Sequence, residues 1–330
     1  MRAARWQYVA AAAMALAVVL FLGKSAATSA SVSIHGARGE LTGLIDRLAD
    51  ATAFRYGVTD DLGRSMDTAD VTWIPEAGRF AAVYHTPSGD GRTFVVQLAT
   101  STDLLDWTWQ TTLATSASQA TLARGSDGGY VAAWEQAPDP IHLQLAWYPS
   151  WRALLEAAPG RELSAPITTP ACGEGTPSIE RASSRRVDLT FHYHADCARD
   201  REARASTDWR SWRAQTRPSL DRALQRAGAA GLLGDRDEVE FEGHDLMLVE
   251  GQLQPDDPSS WQIFLYDGET GQADPLAIRT HGGSRSFSNP TVSEIRIDDR
   301  AAILVTLYVF TEGAAPGEAG ELIYYRTMRP

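Results

Sequence analysis

A pattern of short strands and tight turns recurs five times along this chain, and it constrains the fold more than any other feature. Each copy begins with polar residues ahead of a strand, turns at a short polar stretch, and continues into further alternating strands. The five beginnings are TADVTW (68–73), SQATLA (118–123), CGEGTPSIE (172–180), RDEVEF (236–241) and SNPTVS (288–293). Repeats of four short strands indicate a β-propeller. We therefore predict an all-β fold, a five-bladed β-propeller of four-stranded antiparallel blades over residues 66–330.

The copies can be aligned on one polar residue near the start of each first strand. These residues are Asp70, Gln119, Thr176, Asp237 and Asn289. In a propeller the innermost strands line the central channel, so side chains at their starts can meet although they are far apart in sequence. A β-sandwich would also contain many alternating strands, but it would not repeat one four-strand order five times.

The segments outside the repeats have their own patterns. Residues 31–65 read as a linker, a short helix near Glu40–Ala49 and a strand at Thr52–Val58. The fifth copy has only three clear strands, so we expect Thr52–Val58 to supply its outer strand and close the ring. The stretch Pro218–Leu233 has helical spacing and predicts a helical insertion between the third and fourth copies.

The N-terminal 30 residues have the three parts of a secretory signal. Arg2 and Arg5 precede an apolar run over 8–23, and small residues follow at 25–30. The run is short for a membrane span, which needs roughly 20 apolar residues. We expect a signal peptide, with an uncleaved anchor at residues 6–23 as the alternative, and a secreted or extracytoplasmic protein.

The net charge and the cysteine content indicate which kinds of partner and cofactor to expect. A net charge of -12 disfavours a nucleic-acid groove, because phosphate binding depends on clustered Lys and Arg. Cys172 and Cys197 flank the first hairpin of the third copy, and in an oxidising compartment we expect them to form a disulfide. The chain has no Cys/His spacing typical of a metal site. We therefore predict no metal and no cofactor, and we expect a monomer.

Short motifs resemble those of a known group of enzymes. Ser-Thr-Asp followed by Trp closes the first copy at 101–107 and recurs at 206–212, and Glu-Gly-Thr-Pro opens the third copy at 174–177. With five blades, these motifs resemble the five-bladed propeller glycosidases, namely glycoside hydrolase family 43 and its invertase and levansucrase relatives. The resemblance covers residues 66–328 in architecture, and only these short motifs carry it.

The resemblance implies roles for particular residues. The general base of family 43, at the start of the first blade, falls on Asp70, and the general acid of the third blade falls on Glu174. A second Asp that tunes the acid is replaced here by Gln119, which departs from the family pattern. Arg236-Asp237 is similar to the Arg-Asp-Pro motif of the invertases, whose Asp stabilises the transition state, although the order along the chain differs.

Glycoside hydrolysis needs a carboxylic acid and a carboxylate on opposite faces of the scissile bond. Asp70, Glu174 and Asp237 are the candidate catalytic residues. The candidate substrate-binding residues are Gln119, Arg236, His281 and Asn289. The alternative for each acidic residue is structural, since carboxylates at strand ends often satisfy backbone N–H groups.

The sequence therefore predicts an exported glycoside hydrolase that acts on a furanose-containing or plant-type polysaccharide. Two alternatives remain open. One is a carbohydrate-binding propeller without catalysis, which Gln119 favours. The other is a cell-surface scaffold that binds protein.

Overall fold

The structure is a computed structural model that describes residues 33–138, 140–169, 171–197 and 199–328. Five four-stranded antiparallel sheets follow one another along the chain. The five-bladed, all-β propeller predicted from the repeats is confirmed. The signal peptide or anchor proposed for residues 1–30 lies outside the described residues.

The first four blades each run from an inner strand to an outer strand in sequence order. Blade one contains β2 (Asp67–Ile74), β3 (Arg79–Pro87), β4 (Phe94–Ser101) and β5 (Thr108–Thr115). Blade two contains β6 (Ala117–Arg124), β7 (Tyr130–Gln136), β8 (His142–Tyr148) and β9 (Arg161–Ser164). Blade three contains β10 (Ala171–Ala182), β11 (Val187–Ala195), β12 (Arg199–Thr207) and β13 (Trp212–Thr216). Blade four contains β14 (Leu233–Phe241), β15 (His244–Gln252), β16 (Trp261–Asp267) and β17 (Gln272–Pro275).

Blade five joins two distant parts of the chain. Its three inner strands are β18 (Phe287–Ile297), β19 (Arg300–Val309) and β20 (Gly320–Thr327). The outer strand is β1 (Ala53–Tyr56), which pairs antiparallel with β20 in a register that sets Ala53 against Tyr325. β1 thus occupies the place expected for Thr52–Val58, and it covers the edge that β20 would otherwise leave unpaired.

In the described part of the chain, three α-helices lie outside the blades: α1 (Ile34–Ile45), α2 (Trp151–Leu155) and α3 (Pro218–Arg226). The Gly36 N–H donates to the Ser33 hydroxyl, so Ser33 caps α1. α3 is the predicted insertion between blades three and four, and Pro218 fits its first turn because that position needs no N–H donor. Within the described residues, no helix is long and apolar enough to cross a membrane.

Among the described residues, four clusters of the hydrophobic core lie between neighbouring blades. One joins blades one and two through Ile74, Val83 and Tyr130, and another joins blades two and three through Leu145 and Phe191. The buried face of α1 extends the cluster between blades four and five. A fifth cluster packs α3 against blade four, so the backbone around the channel is supported by four clusters between blades and one under this helix.

Each innermost strand carries the same irregularity near its start. The register with the second strand shifts there by one residue, and the shifted residue adopts a left-handed conformation in four blades: Thr68, Gln119, Thr176 and Asn289. We call these four residues, together with Gly234 at the same register position in blade four, the bulge residues. The register therefore corrects the sequence alignment. Asp70 and Asp237 lie two and three residues beyond the bulge residues of their own blades.

The two Ser-Thr-Asp motifs form the same turn. The Asp103 carboxylate accepts hydrogen bonds from the N–H groups of Leu105 and Asp106, both at 2.9 Å. The Asp208 carboxylate accepts from Arg210 and Ser211 at 3.1 and 2.8 Å. Both Asp residues therefore cap a turn that leads to the outer strand of a blade.

Candidate functional site

A cavity of about 350 Å³ opens at the mouth of the central channel, where the starts of the innermost strands converge. We call it the channel mouth. It combines carboxylates, imidazoles and aromatic rings. Its lining residues are Asp67, Thr68, His85, Phe94, Gln119, Glu135, Thr176, His192, Asp200, Gly234, Glu250, Trp261, Ser288, Asn289, Tyr308 and Phe310.

The acidic residues of the mouth are held by the bulges. A left-handed residue points its N–H away from its own sheet, so this donor needs an acceptor from elsewhere. The Thr176 N–H donates to Glu135 Oε1 of blade two at 2.7 Å, and the Asn289 N–H donates to Glu250 Oε2 of blade four. Each carboxylate therefore ties its own blade to the next and is fixed in orientation at the channel.

The same type of hydrogen bond occurs at two further blade junctions, with other acceptors. The Thr68 N–H donates to Glu321 Oε2 of blade five at 2.9 Å, and the Gln119 N–H donates to His85 Nδ1 of blade one at 3.2 Å. Four of the five blade junctions thus use one backbone donor and one side-chain acceptor.

Burial raises the pKa of several carboxyl groups at the mouth. It raises the pKa of Glu250 to about 7, with the N–H of Asn289 acting against this effect. Burial also raises the pKa of Glu135, and the neighbouring Asp200 carboxylate adds to the increase. Asp67 is partly exposed and accepts a hydrogen bond from the Ser65 hydroxyl at 3.2 Å, while burial raises its pKa as well. Burial therefore favours the protonated form of each of these three carboxyl groups.

Two glycines make room for these carboxyl groups. A Cβ atom on Gly175 would overlap the Glu135 carboxyl group, and a Cβ atom on Gly234 would overlap that of Glu250. Both positions therefore require glycine if the two acids are to keep their places.

Aromatic rings border the mouth. Trp261 and Phe310 lie roughly parallel with their ring centroids 6.1 Å apart, and Tyr308 meets Phe310 edge to face. Phe94 meets the His85 ring edge to face, with the two ring centroids 4.7 Å apart. Such rings, beside fixed polar groups, are suited to the apolar faces and the hydroxyls of a sugar.

Asp70 and Asp237 lie deeper in the channel, in a narrow cavity of about 20 Å³ that does not include Glu174. Asp70 Oδ2 accepts from the Leu122 N–H at 2.7 Å, and Asp237 Oδ2 accepts from the Val292 N–H at 2.8 Å. Burial, followed by the charge of Asp70, raises the pKa of Asp237 well above its usual value. Both carboxyl groups thus connect the inner strands of neighbouring blades, which is the structural alternative considered for them.

Glu174 lines a separate cavity beside the mouth. It is 2% exposed, and its Oε1 accepts hydrogen bonds from the backbone N–H and the hydroxyl of Thr169, at 3.3 and 2.7 Å. Burial raises its pKa. The disulfide between Cys172 and Cys197 is confirmed, with Cα atoms 5.3 Å apart, and it lines the same cavity. Glu174 and Asp70 therefore line different cavities.

The four predicted substrate-binding residues have different surroundings. Gln119 and Asn289 line the channel mouth. Arg236 is 1% exposed, forms an ion pair with Glu202 at 2.9 Å and donates to the carbonyl of Thr176, so it connects blades three and four.

His281 lies away from the channel. Its ring stacks on Phe54 of the outermost strand, β1, with centroids 4.5 Å apart.

The sequence reasoning missed Asp67, Glu135 and Glu250. Glu135 and Glu250 come at the ends of otherwise buried apolar second strands, in YVAAWEQ and HDLMLVEGQ. An ionisable residue at the end of such a strand, opposite the start of the innermost strand, was the available signal.

These features define a five-bladed β-propeller with an acidic, aromatic-bordered channel mouth. No family model matches the sequence, and no curated protein matches it. Solved structures with the same fold include an exo-1,5-α-L-arabinanase from a bovine ruminal metagenomic library, at 10% identity and a TM-score of 0.53. That match covers 82% of this chain and 96% of the arabinanase.

Two further structures are similar to a comparable degree. The Podospora anserina α-L-arabinofuranosidase in complex with cellotriose has 12% identity and a TM-score of 0.53, over 88% of this chain and 98% of that one. The Bombyx mori family-32 β-fructofuranosidase has 14% identity and a TM-score of 0.53, over 85% of this chain and 64% of that one. The resemblance to the five-bladed propeller glycosidases is thereby confirmed at the level of the fold.

Proposed function

We propose that the protein is a glycoside hydrolase whose reaction takes place at the channel mouth. The observation that carries this proposal is that one cavity holds a carboxyl group of raised pKa, a second carboxylate that is partly exposed, and several aromatic rings. This combination matches what hydrolysis of a glycosidic bond requires, namely a proton donor, an opposing carboxylate and a surface that positions the sugar.

Glu135 is the proposed proton donor. Hydrogen bonds from the Thr176 N–H and the Ser118 hydroxyl fix its orientation, and its raised pKa favours the protonated form that donates to the leaving oxygen. Asp67, in blade one, is the proposed opposing carboxylate, which either activates a water molecule or attacks the anomeric carbon. We prefer this pair to Glu174 and Asp70, because Asp67 and Glu135 line one cavity.

A furanose-containing polysaccharide is the proposed substrate. Structures that share the fold include an arabinanase, an arabinofuranosidase and a fructofuranosidase. The net charge of -12 and the acidic mouth favour a neutral sugar chain over a polyanion.

We also propose that the protein acts outside the cytoplasm. The disulfide supports this location, because such bonds persist in oxidising compartments. Fractionation of cells that express the whole chain, with N-terminal sequencing of the exported form, tests this proposal. Recovery of the protein only from the cytoplasm would refute it.

The second candidate is a carbohydrate-binding propeller without catalysis. None of the bulge residues, Thr68, Gln119, Thr176, Gly234 and Asn289, carries a carboxyl group. This observation favours binding over hydrolysis, because the bulge residues occupy the starts of all five innermost strands.

Release of reducing sugar from arabinan, xylan and fructan distinguishes the two candidates. The wild-type protein should hydrolyse at least one of them, and Glu135→Gln and Asp67→Asn should each slow hydrolysis by at least about 10²-fold. Glu162→Gln is the control, since Glu162 is exposed and lies outside the mouth. Binding without hydrolysis by the wild type would favour the second candidate, and full activity of Glu135→Gln would remove Glu135 from the mechanism.

A further inference from the structure

A larger cavity, of about 680 Å³, lies beside the channel mouth. We call it the side cavity. The two cavities share Glu135 and His192, so a ligand can extend from one into the other past the proposed proton donor. The side cavity is also lined by Pro140, Ile141, Cys172, Gly173, Glu174, Gly175, His194 and Cys197.

The side cavity contains a polar atom that lacks a partner. Glu174 is 2% exposed, and its Oε1 is occupied by Thr169, but its Oε2 has no hydrogen-bond partner among the described residues. Leaving a buried polar atom unpaired costs about 1–3 kcal/mol. A hydroxyl group of a bound ligand would supply the missing hydrogen bond.

The remaining wall is suited to a neutral ring. Pro140, Ile141 and the disulfide present apolar surface, while Glu135 and Glu174 are the acidic groups among the lining residues. Carboxyl groups disfavour an anionic ligand, and the absence of a broad basic surface in this lining gives an anion no counter-charge. A sugar has both the hydroxyls and the apolar C–H faces that such a wall accommodates.

We propose that the side cavity is a second sugar subsite, continuous with the channel mouth. The substrate is then an oligosaccharide or polysaccharide chain that occupies both cavities, with Glu135 at the junction and Glu174 as a binding residue. This inference rests on the proposed function and deepens it, because it assigns a second sugar-binding subsite, with Glu174 as a binding residue, to the proposed polysaccharide.

Binding measured against chain length tests this proposal. Calorimetric titrations would use arabino-, xylo- and fructo-oligosaccharides of two to five units, in a Glu135→Gln background that prevents hydrolysis. In that parent, affinity should rise by about tenfold or more as the chain reaches the side cavity. Adding Ile141→Trp should abolish the rise, since the larger side chain fills the cavity. Adding Glu174→Gln should weaken binding of the longer chains alone.

Ile141 is 38% exposed, which leaves room for a larger side chain without disturbing the core. Leu62→Trp serves as the matched control, because Leu62 is exposed and lines neither cavity. Equal affinity for short and long chains in the parent, or a rise that persists in both added variants, would overturn the second subsite alone. Failure of every oligosaccharide to bind would overturn the proposed function together with this inference.

Discussion

Single residues at the channel carry both strain and function. A non-glycine residue in a left-handed conformation costs on the order of 1–3 kcal/mol, and four bulge residues of this kind surround the mouth. Their N–H groups are satisfied by Glu135, Glu250, Glu321 and His85 from the neighbouring blades. Any substitution of these acceptors therefore affects the junction between two blades as well as the site.

At the scale of single residues, the buried ion pair between Arg236 and Glu202 gives a testable prediction about stability. Both side chains are fully buried, so removing the arginine leaves an uncompensated carboxylate in the interior. We expect Arg236→Met to lower the free energy of unfolding by about 3–5 kcal/mol. Adding Glu202→Gln should restore a substantial part of that loss, because it removes the unpaired charge.

Urea unfolding of the two single variants and the double variant at about pH 8 measures this coupling. Strictly additive losses would show that the pair does not interact energetically.

At the level of elements, the first hairpin of blade three is closed by a disulfide that lines the side cavity. The disulfide joins residues on either side of it, separated by 25 positions, and Glu174 lies two residues after Cys172. Closing this loop restricts the unfolded chain and positions the wall of the side cavity.

We expect the double variant Cys172→Ser, Cys197→Ser to lose about 3 kcal/mol of stability, from the loop-closure entropy. Thermal unfolding of the oxidised wild type, the reduced wild type and the variant provides the measurement. The reduced wild type should match the variant. A variant as stable as the oxidised protein would show that the bond contributes nothing to folding.

The elements also show what the sequence could predict. Long strands with apolar alternation and polar turns revealed the five repeats, whereas the short outer strands β9 and β17, of four residues each, gave no periodic signal. The site was less predictable. The register shift at each bulge determines which side chains reach the mouth. Glu135 and Glu250, from second strands, line the mouth, whereas Asp70 lies deeper in the channel. A shift of one residue reverses the direction of a strand side chain, so spacing alone could not assign these roles.

For the whole molecule, the buried acids set the pH dependence of stability. Burial raises the pKa of Glu202 and Glu250 to about 7, above their ordinary value of 4.5. In the window between about 4.5 and 7, the folded protein then binds more protons than the unfolded chain. Stability must therefore fall as the pH rises through that window.

At Glu318, hydrogen bonds lower the pKa, which is opposite to the effect of burial on Glu202 and Glu250. The hydroxyls of Ser284 and Thr280 hold its pKa at about 2, so its contribution is lost only as the pH falls below its ordinary value.

We accordingly expect greater stability near pH 5 than near pH 8, by up to roughly 3 kcal/mol for each of the two raised acids. Urea unfolding between pH 5 and pH 8 measures the free energy of unfolding as a function of pH. Glu250→Gln should make this dependence weaker. A curve that rises from pH 5 to pH 8 would contradict the assignment.

The pairing of β1 with β20 has a consequence for how the protein is made. Four blades consist of consecutive strands, and each can form as soon as its own segment has been synthesised. Blade five cannot, because residues 53–56 must wait for residues 322–325. Until then the growing chain is an open arc with an unpaired edge, which is prone to association with other chains. Completion of the ring, and with it the fixed geometry of the channel mouth, therefore depends on β20, which is synthesised after the other described strands.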